Sequence, residues 1–171
     1  HEHTGNKFTN QYFKIDITQS NEIKKLFEQL DKVDCLINCA AYQCCKPIWK
    51  YTEEEWDNTY KCNVKSIFLF IKFGLHIFKK CKTNIINMAS IHANATAKYI
   101  ASYASSKAAI VGLTRNIAID LADFHIRINS ISPGAINTSM LMNHITTEKL
   151  DNLKNKHLLK KIGTPQQIAN A

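Results

Sequence analysis

Arginine is nearly missing from this chain. Of its 22 lysines and arginines only Arg115 and Arg127 are arginines, and the lysines are scattered along the sequence. Nucleic-acid surfaces cluster arginine with aromatic residues. The net charge of +8 is therefore read as solvated lysine on helix faces and ends, as at Lys24-Lys25, Lys79-Lys80 and Lys160-Lys161, and no nucleic-acid partner is expected. Long hydrophobic runs are also lacking. The longest, Ser66 to Phe78, is broken by Lys72 and His76, too short and too charged to span a bilayer, so no membrane partner is expected. Six cysteines are present, at positions 35, 39, 44, 45, 62 and 81, but no C-x-x-C occurs and no histidine lies near the 35–45 cluster. That spacing argues against a structural zinc site. The thiols are read as free and mostly buried, with Cys35 in an apolar run, which points to a reducing, cytoplasmic compartment. No repeat, low-complexity stretch or targeting segment is visible.

What remains is ordinary globular composition, 45% hydrophobic and 21% charged over 171 residues, enough for one domain with a core. Four strand-like runs stand out: Tyr12–Ile17, Val33–Asn38, Thr83–Ala89 and Ile126–Ile131. The second is apolar on both faces, as a buried parallel strand is. Between them lie helical patterns. Thr18 is placed to cap a helix carrying Ile23, Leu26, Phe27 and Leu30. Thr52-Glu-Glu-Glu55 reads as a capping box. The helix it opens is interrupted at Asn63, and a second runs on to about Lys80. A helix from about Ser102 to Asp120 carries Ala104, Ala108 and Gly112 at intervals of four, a spacing for close packing. Another is expected near 147–159, and Thr164-Pro165 opens a last one. Alternating strands and helices imply right-handed crossovers and a parallel sheet with helices on both faces.

One pair of residues suggests chemistry. Tyr103 and Lys107 lie four apart on the long helix and so share a face. A neighbouring ammonium favours the phenolate and would lower a tyrosine pKa near 10 toward the range useful for proton transfer. The spacing alone is weak, since roughly 0.7 such pairs are expected by chance in this composition. Tyr42 and Lys46 form a second pair, in a loop before Pro47 where helical spacing does not apply. Context favours the first. Ser90 ends the third strand, 13 residues before Tyr103, and α/β sheets place their sites at carboxyl strand ends.

With these residues the chain resembles the classical short-chain dehydrogenase/reductase superfamily, over about residues 12–171. Asn63, Ser90, Tyr103 and Lys107 match its catalytic tetrad in order. Asp16 with Ile17 corresponds to an acidic turn that contacts adenine. Asn38-Cys39-Ala40-Ala41 resembles an Asn-Asn-Ala-Gly turn, with Asn38 and Ala40 at cofactor-binding positions. Pro133-Gly134 with Ile136 and Thr138 resembles the segment that closes over the nicotinamide, and Gly163-Thr164-Pro165 a late helix start.

The resemblance implies an α/β fold: a Rossmann-like, doubly wound parallel sheet in three layers. It implies an oxidoreductase moving hydride between NAD or NADP and a small-molecule carbonyl or alcohol. Tyr103 would be the acid/base and would bind cofactor with Lys107. Ser90 would orient the substrate oxygen, and Asn63 would hold a water leading from Lys107. His92, Tyr99 and residues 138–160 would shape the substrate pocket. It also implies a homo-tetramer or homo-dimer through helices 63–80 and 103–120.

The chain departs from the family at Cys39 and Ala41, and more seriously in its glycines. The five, at 5, 74, 112, 134 and 163, form no G-x-x-x-G-x-G, the loop that sets helix amides against a pyrophosphate. Residues 1–171 are therefore read as a single incomplete dinucleotide-binding and catalytic domain with its first βαβ unit absent. Its strands correspond to the third through sixth of the family order 3-2-1-4-5-6-7. The alternative is a catalytically incompetent fragment or degenerate relative that lacks the phosphate-binding loop and keeps only self-association.

Overall fold

Three of the four expected strands pair. The computed structural model describes residues 11–143 and 145–171, so Gly5 lies outside the described residues. Strands β1 (Cys35–Asn38), β2 (Asn84–Met88) and β3 (Arg127–Ile131) form a parallel sheet in the order β1-β2-β3. Leu36 aligns with Ile85, and Ile85 with Ile128. This is the order expected if the three are consecutive strands of a longer parallel sheet.

Residues 12–17 are not a strand. Their side chains keep a strand's alternation, with Phe13, Ile15 and Ile17 half-buried and Tyr12, Lys14 and Asp16 exposed. Yet no neighbouring strand among the described residues offers them a ladder, and extended backbone without a partner stays solvated. The segment ends in a turn where the Asp16 carboxylate accepts from the Thr18 N–H and hydroxyl, both at 2.8 Å. Thr18 is thus used in that turn and does not cap. Helix α1 (Ser20–Phe27) starts after Gln19 without a side-chain cap.

Helix α2 (Glu53–Tyr60) begins at the predicted capping box, with Thr52 and Glu55 bonded reciprocally. Three glutamates in its first turn complement the helix dipole. The interruption at Asn63 is a single π turn, Lys61–Lys65, that leads directly into α3 (Ser66–Cys81). Helix α4 (Ala101–Asp120) follows β2, and short helices α5 (Ser139–Met142), α6 (Thr147–Lys156) and α7 (Pro165–Ala169) complete the chain. Thr164 caps α7 with Gln167 at the third position, as its sequence predicts.

Leu36, Ile85 and Ile128 share the sheet face that carries the core. On it pack Ile23, Phe27, Ile67, Leu69, Ile77, Phe78 and Ile110 from α1, α3 and α4. Phe27 and Phe78 meet edge to face at 5.5 Å. Gly74 permits that contact, because a Cβ there would lie 2.3 Å from the Phe78 ring and 2.6 Å from the Phe27 ring.

The opposite face carries Cys35, Ile37, Arg127 and Asn129, all exposed. The second helical layer is therefore not seen among the described residues. This overturns two local expectations. The β1 run is not buried on both faces: Ile37 is 58% exposed. The thiols are not mostly buried either. Cys35, Cys39 and Cys45 are exposed and the other three half-buried, though all six are free. The small-residue stripe of α4 also points outward. Ala108 is exposed, and a Cβ at Gly112 would meet nothing within 4 Å.

Candidate active site

The carboxyl ends of β1 and β2 open into a cleft of about 150 Å³. Ile17, Asn38, Ala40 and Asn63, four of the residues singled out from sequence, line it together with Cys39 and Met88. Asn38 is held in place by its amide, which donates to Asn87 Oδ1 at 2.8 Å. Asn87 in turn donates to Thr114 Oγ1 at 2.9 Å. This relay from β1 through β2 to α4 was not anticipated. Its only signal in the sequence is an asparagine inside the apolar run Ile85-Ile86-Asn87-Met88; in the fold that side chain is fully buried, where an amide needs partners.

Ser90, Tyr103 and Lys107 converge beside the cleft. Ser90 follows β2, is 6% exposed, and accepts from the His92 N–H at 3.2 Å. Tyr103 lies in the first turn of α4 and is 9% exposed. Burial pushes its phenol above the ordinary tyrosine value, and a hydrogen bond with Ser90 opposes that rise. Lys107, 3% exposed, donates from Nζ to the Met88 carbonyl at 2.6 Å. Its Nζ is 5.5 Å from the centre of the Tyr103 ring. Burial lowers the Lys107 pKa to about 8, opposed by the Cys39 and Cys62 thiols. The expected lowering of the Tyr103 pKa by Lys107 is not seen in this arrangement. Desolvation dominates the phenol, and the ammonium is turned to a backbone carbonyl.

Asn63 stands in the π turn and is 2% exposed. Its Oδ1 accepts the Tyr42 N–H at 2.7 Å, and its Nδ2 donates to the Tyr42 carbonyl at 3.0 Å and to Ser106 Oγ at 2.9 Å. Both amide donors are spent on this clasp, so only a lone pair on Oδ1 remains for a water. A second pin joins α2 to α4, where the Thr59 hydroxyl meets Ser102 Oγ at 3.2 Å. Ser102, Ser106, Thr59 and Thr114 are all buried and were passed over in the sequence, since lone hydroxyls on helices carry no pattern.

The remaining positions are spread around this centre. The His92 ring meets the Tyr103 ring edge-on at 6.2 Å, and its Nδ1 lies 3.1 Å from the Ala95 carbonyl. Tyr99 is 54% exposed and stands two residues before α4. Pro133 is drawn toward Ser90, because its carbonyl accepts the Ile91 N–H at 2.9 Å. Ile136 pairs with Gly163 in a parallel bridge that ties this segment to the start of α7. Gly134, Ile136 and Thr138 do not line the cleft, and neither does Asp16. The Asp16 carboxylate is turned to Thr18, whose backbone N–H is the main cause holding its pKa below the usual range.

A family model described as enoyl-(acyl carrier protein) reductase matches residues 2–171. The chain belongs to the short-chain dehydrogenase/reductase family. Cyclopentanol dehydrogenase of Comamonas sp. (strain NCIMB 9872) is 34% identical over 134 residues, which cover 75% of this chain and 54% of that protein. Dehydrogenase/reductase SDR family member 6 of Xenopus laevis is 36% identical over 135 residues, covering 77% and 54%. The crystal structure of a candidate gluconate dehydrogenase from Agrobacterium tumefaciens superposes with a TM-score of 0.86 at 28% identity, over 91% of this chain and 64% of that one. The chain thus spans about half the length of these two curated short-chain dehydrogenase relatives. The strands, the cleft and the Ser90–Tyr103–Lys107 group all fall within the matched residues.

Proposed function

We propose that this chain carries the catalytic half of an NAD(P)-dependent oxidoreductase that interconverts a small-molecule carbonyl and its alcohol. The observation that supports this best is the meeting of Ser90, Tyr103 and Lys107 at the carboxyl end of β2. A hydroxyl, a phenol and a buried ammonium there suit proton transfer to a substrate oxygen. In reduction, the Tyr103 hydroxyl gives its proton to the carbonyl oxygen. Ser90 donates a hydrogen bond that orients that oxygen. In oxidation the same atoms run in reverse. Lys107 supplies positive charge behind the phenol, and Asn63 holds the floor of the site by clasping Tyr42.

The residues fit the nicotinamide–ribose end of NAD or NADP. Lys107 uses one of its three donors on Met88, and Asn38 and Ala40 line the cleft beside it. Bound there, the nicotinamide would supply or accept the hydride. A cleft of about 150 Å³ is below the roughly 300–1,000 Å³ of common ligand pockets, so it suits one end of a dinucleotide. Asp16, Ile17, Pro133, Gly134, Ile136 and Thr138 are proposed to contact the rest, and His92 and Tyr99 the substrate. The outward faces of α3 and α4, with Phe68 48% and Ile119 76% exposed, are proposed to join copies into a dimer or tetramer. Free thiols suit a reducing, cytoplasmic setting. No helix among the described residues is long and apolar enough to cross a membrane.

The test is a spectrophotometric assay of the full-length protein against cyclic and linear ketones, with NADH and NADPH in separate arms. Ketone-dependent loss of reduced nicotinamide is expected. Failure to bind either cofactor by calorimetry would favour the alternative, a self-associating relative without catalysis.

A further inference from the structure

Two residues before α4 the backbone enters the left-handed region, at Tyr99 with φ 70°. A residue with a Cβ persists there only where its surroundings over-determine it. Here the surroundings are a strap, residues 42–46. The Tyr99 carbonyl accepts the Lys46 N–H at 2.8 Å. The strap is itself bolted down along its length. Asn63 clasps both backbone groups of Tyr42. The Tyr51 hydroxyl donates to the Cys44 carbonyl at 2.6 Å. The Lys46 ammonium pairs with Glu55, and both side chains are about two-thirds or more buried. Glu55 is fixed by the capping box of α2, where its Oε2 accepts the Thr52 N–H at 2.9 Å. The Tyr51 hydroxyl is also 3.5 Å from the Tyr99 carbonyl, but its single proton goes to the nearer oxygen of Cys44.

We propose that Lys46, Tyr51 and Glu55 are positioning residues that hold the Tyr99 backbone, so that its ring forms a fixed wall of the substrate site and limits the size of the substrate. This rests on the oxidoreductase reading above. None of the three touches the reacting atoms. Lys46 thereby has a role that has nothing to do with phenol acidity.

The experiment uses the full-length protein. Lys46→Met removes the ion pair and keeps the backbone N–H. Tyr51→Phe removes only the hydroxyl. Tyr99→Gly removes the wall and takes φ 70° without strain. Hydrogen exchange is followed in peptides spanning 43–47 and 97–101, with 84–88 as the core control. Exchange at least tenfold faster in the first two peptides, and unchanged in the control, is expected for Lys46→Met and Tyr51→Phe. In the same variants the preference for a small over a bulky ketone in kcat/KM should fall at least fivefold, through KM, with kcat within twofold. Tyr99→Gly should lose the preference equally. Unchanged exchange overturns the strap. Faster exchange with size preference intact overturns the specificity role. If the wild type turns over no ketone, the oxidoreductase reading fails and the specificity role falls with it, while exchange still decides the strap.

Discussion

The Lys107 ammonium donates to the Met88 carbonyl at 2.6 Å, from the second turn of a helix to the last residue of a strand. Lysine is rarely this deeply buried unless paired, and among the described residues its one hydrogen bond is to an uncharged carbonyl. The cost shows in a pKa lowered by burial to about 8.

That shift predicts the pH dependence of stability. Between about pH 8 and 10.5 the unfolded chain holds the lysine proton and the folded chain does not, so stability rises with pH in this window. Below pH 8 both states are protonated and the burial cost is fully present. The gain is at most roughly 3 kcal/mol. Above pH 10 the raised Tyr103 pKa acts in the opposite direction, since the unfolded phenol ionises first. Thermal melts from pH 7.5 to 10 should therefore show a rising Tm that flattens in Lys107→Met. A parallel rise in both proteins would rule out Lys107 as its source.

Asn63→Ala should destabilise the fold by about 1–3 kcal/mol, because it strands the Tyr42 N–H and carbonyl and takes a donor away from Ser106 Oγ. Urea titration measures this. Asn63→Asp keeps the acceptor for the Tyr42 N–H but turns an oxygen toward the Tyr42 carbonyl in place of the donor and buries a carboxyl, so it should lose at least as much. A clearly smaller loss in Asn63→Asp than in Asn63→Ala would argue that the donors of Asn63 are not what it contributes.

Gly74→Ala places a methyl 2.3 Å from the Phe78 ring and 2.6 Å from the Phe27 ring. Both rings are 4% exposed or less and have no room to retreat. Overpacking of this kind costs about 1–3 kcal/mol, outweighing the gain in helix propensity of up to about 1 kcal/mol. Gly112→Ala meets open space and should be neutral or stabilising. Differential scanning calorimetry of the two variants should place their Tm values on opposite sides of the wild type or leave Gly112→Ala unchanged.

Asn87→Leu cuts the relay that joins Asn38 to Thr114. The Asn38 amide at the cleft then loses its partner. Cofactor affinity by calorimetry should fall about fivefold to tenfold, while Thr114→Val, which leaves the Asn38–Asn87 bond in place, should change it less. The reverse order would mean that Asn38 is not held through Asn87.

The parts of this molecule written in local pattern were readable from sequence. The capping boxes at Thr52 and Thr164 appear where their spacing placed them, because both partners lie within one turn. The strands at 35–38, 84–88 and 127–131 follow apolar runs. Residues 12–17 show the limit: side-chain alternation survives, but a strand is defined by a neighbour, which local sequence does not supply. The site was legible as a set of types in order, Asn63, Ser90, Tyr103 and Lys107. Its supports were not. Asn63 to Tyr42, Asn87 to Thr114 and Thr59 to Ser102 join residues 21 to 43 apart, and each is an ordinary polar residue until the fold brings its partner to it.

The most direct test of the account is the rate of ketone-dependent NADH or NADPH oxidation by Tyr103→Phe beside the wild type. Removing one hydroxyl should lower kcat at least about a hundredfold, with an unchanged circular dichroism spectrum. Turnover within tenfold of the wild type would contradict the assignment of Tyr103 as the acid/base of this site.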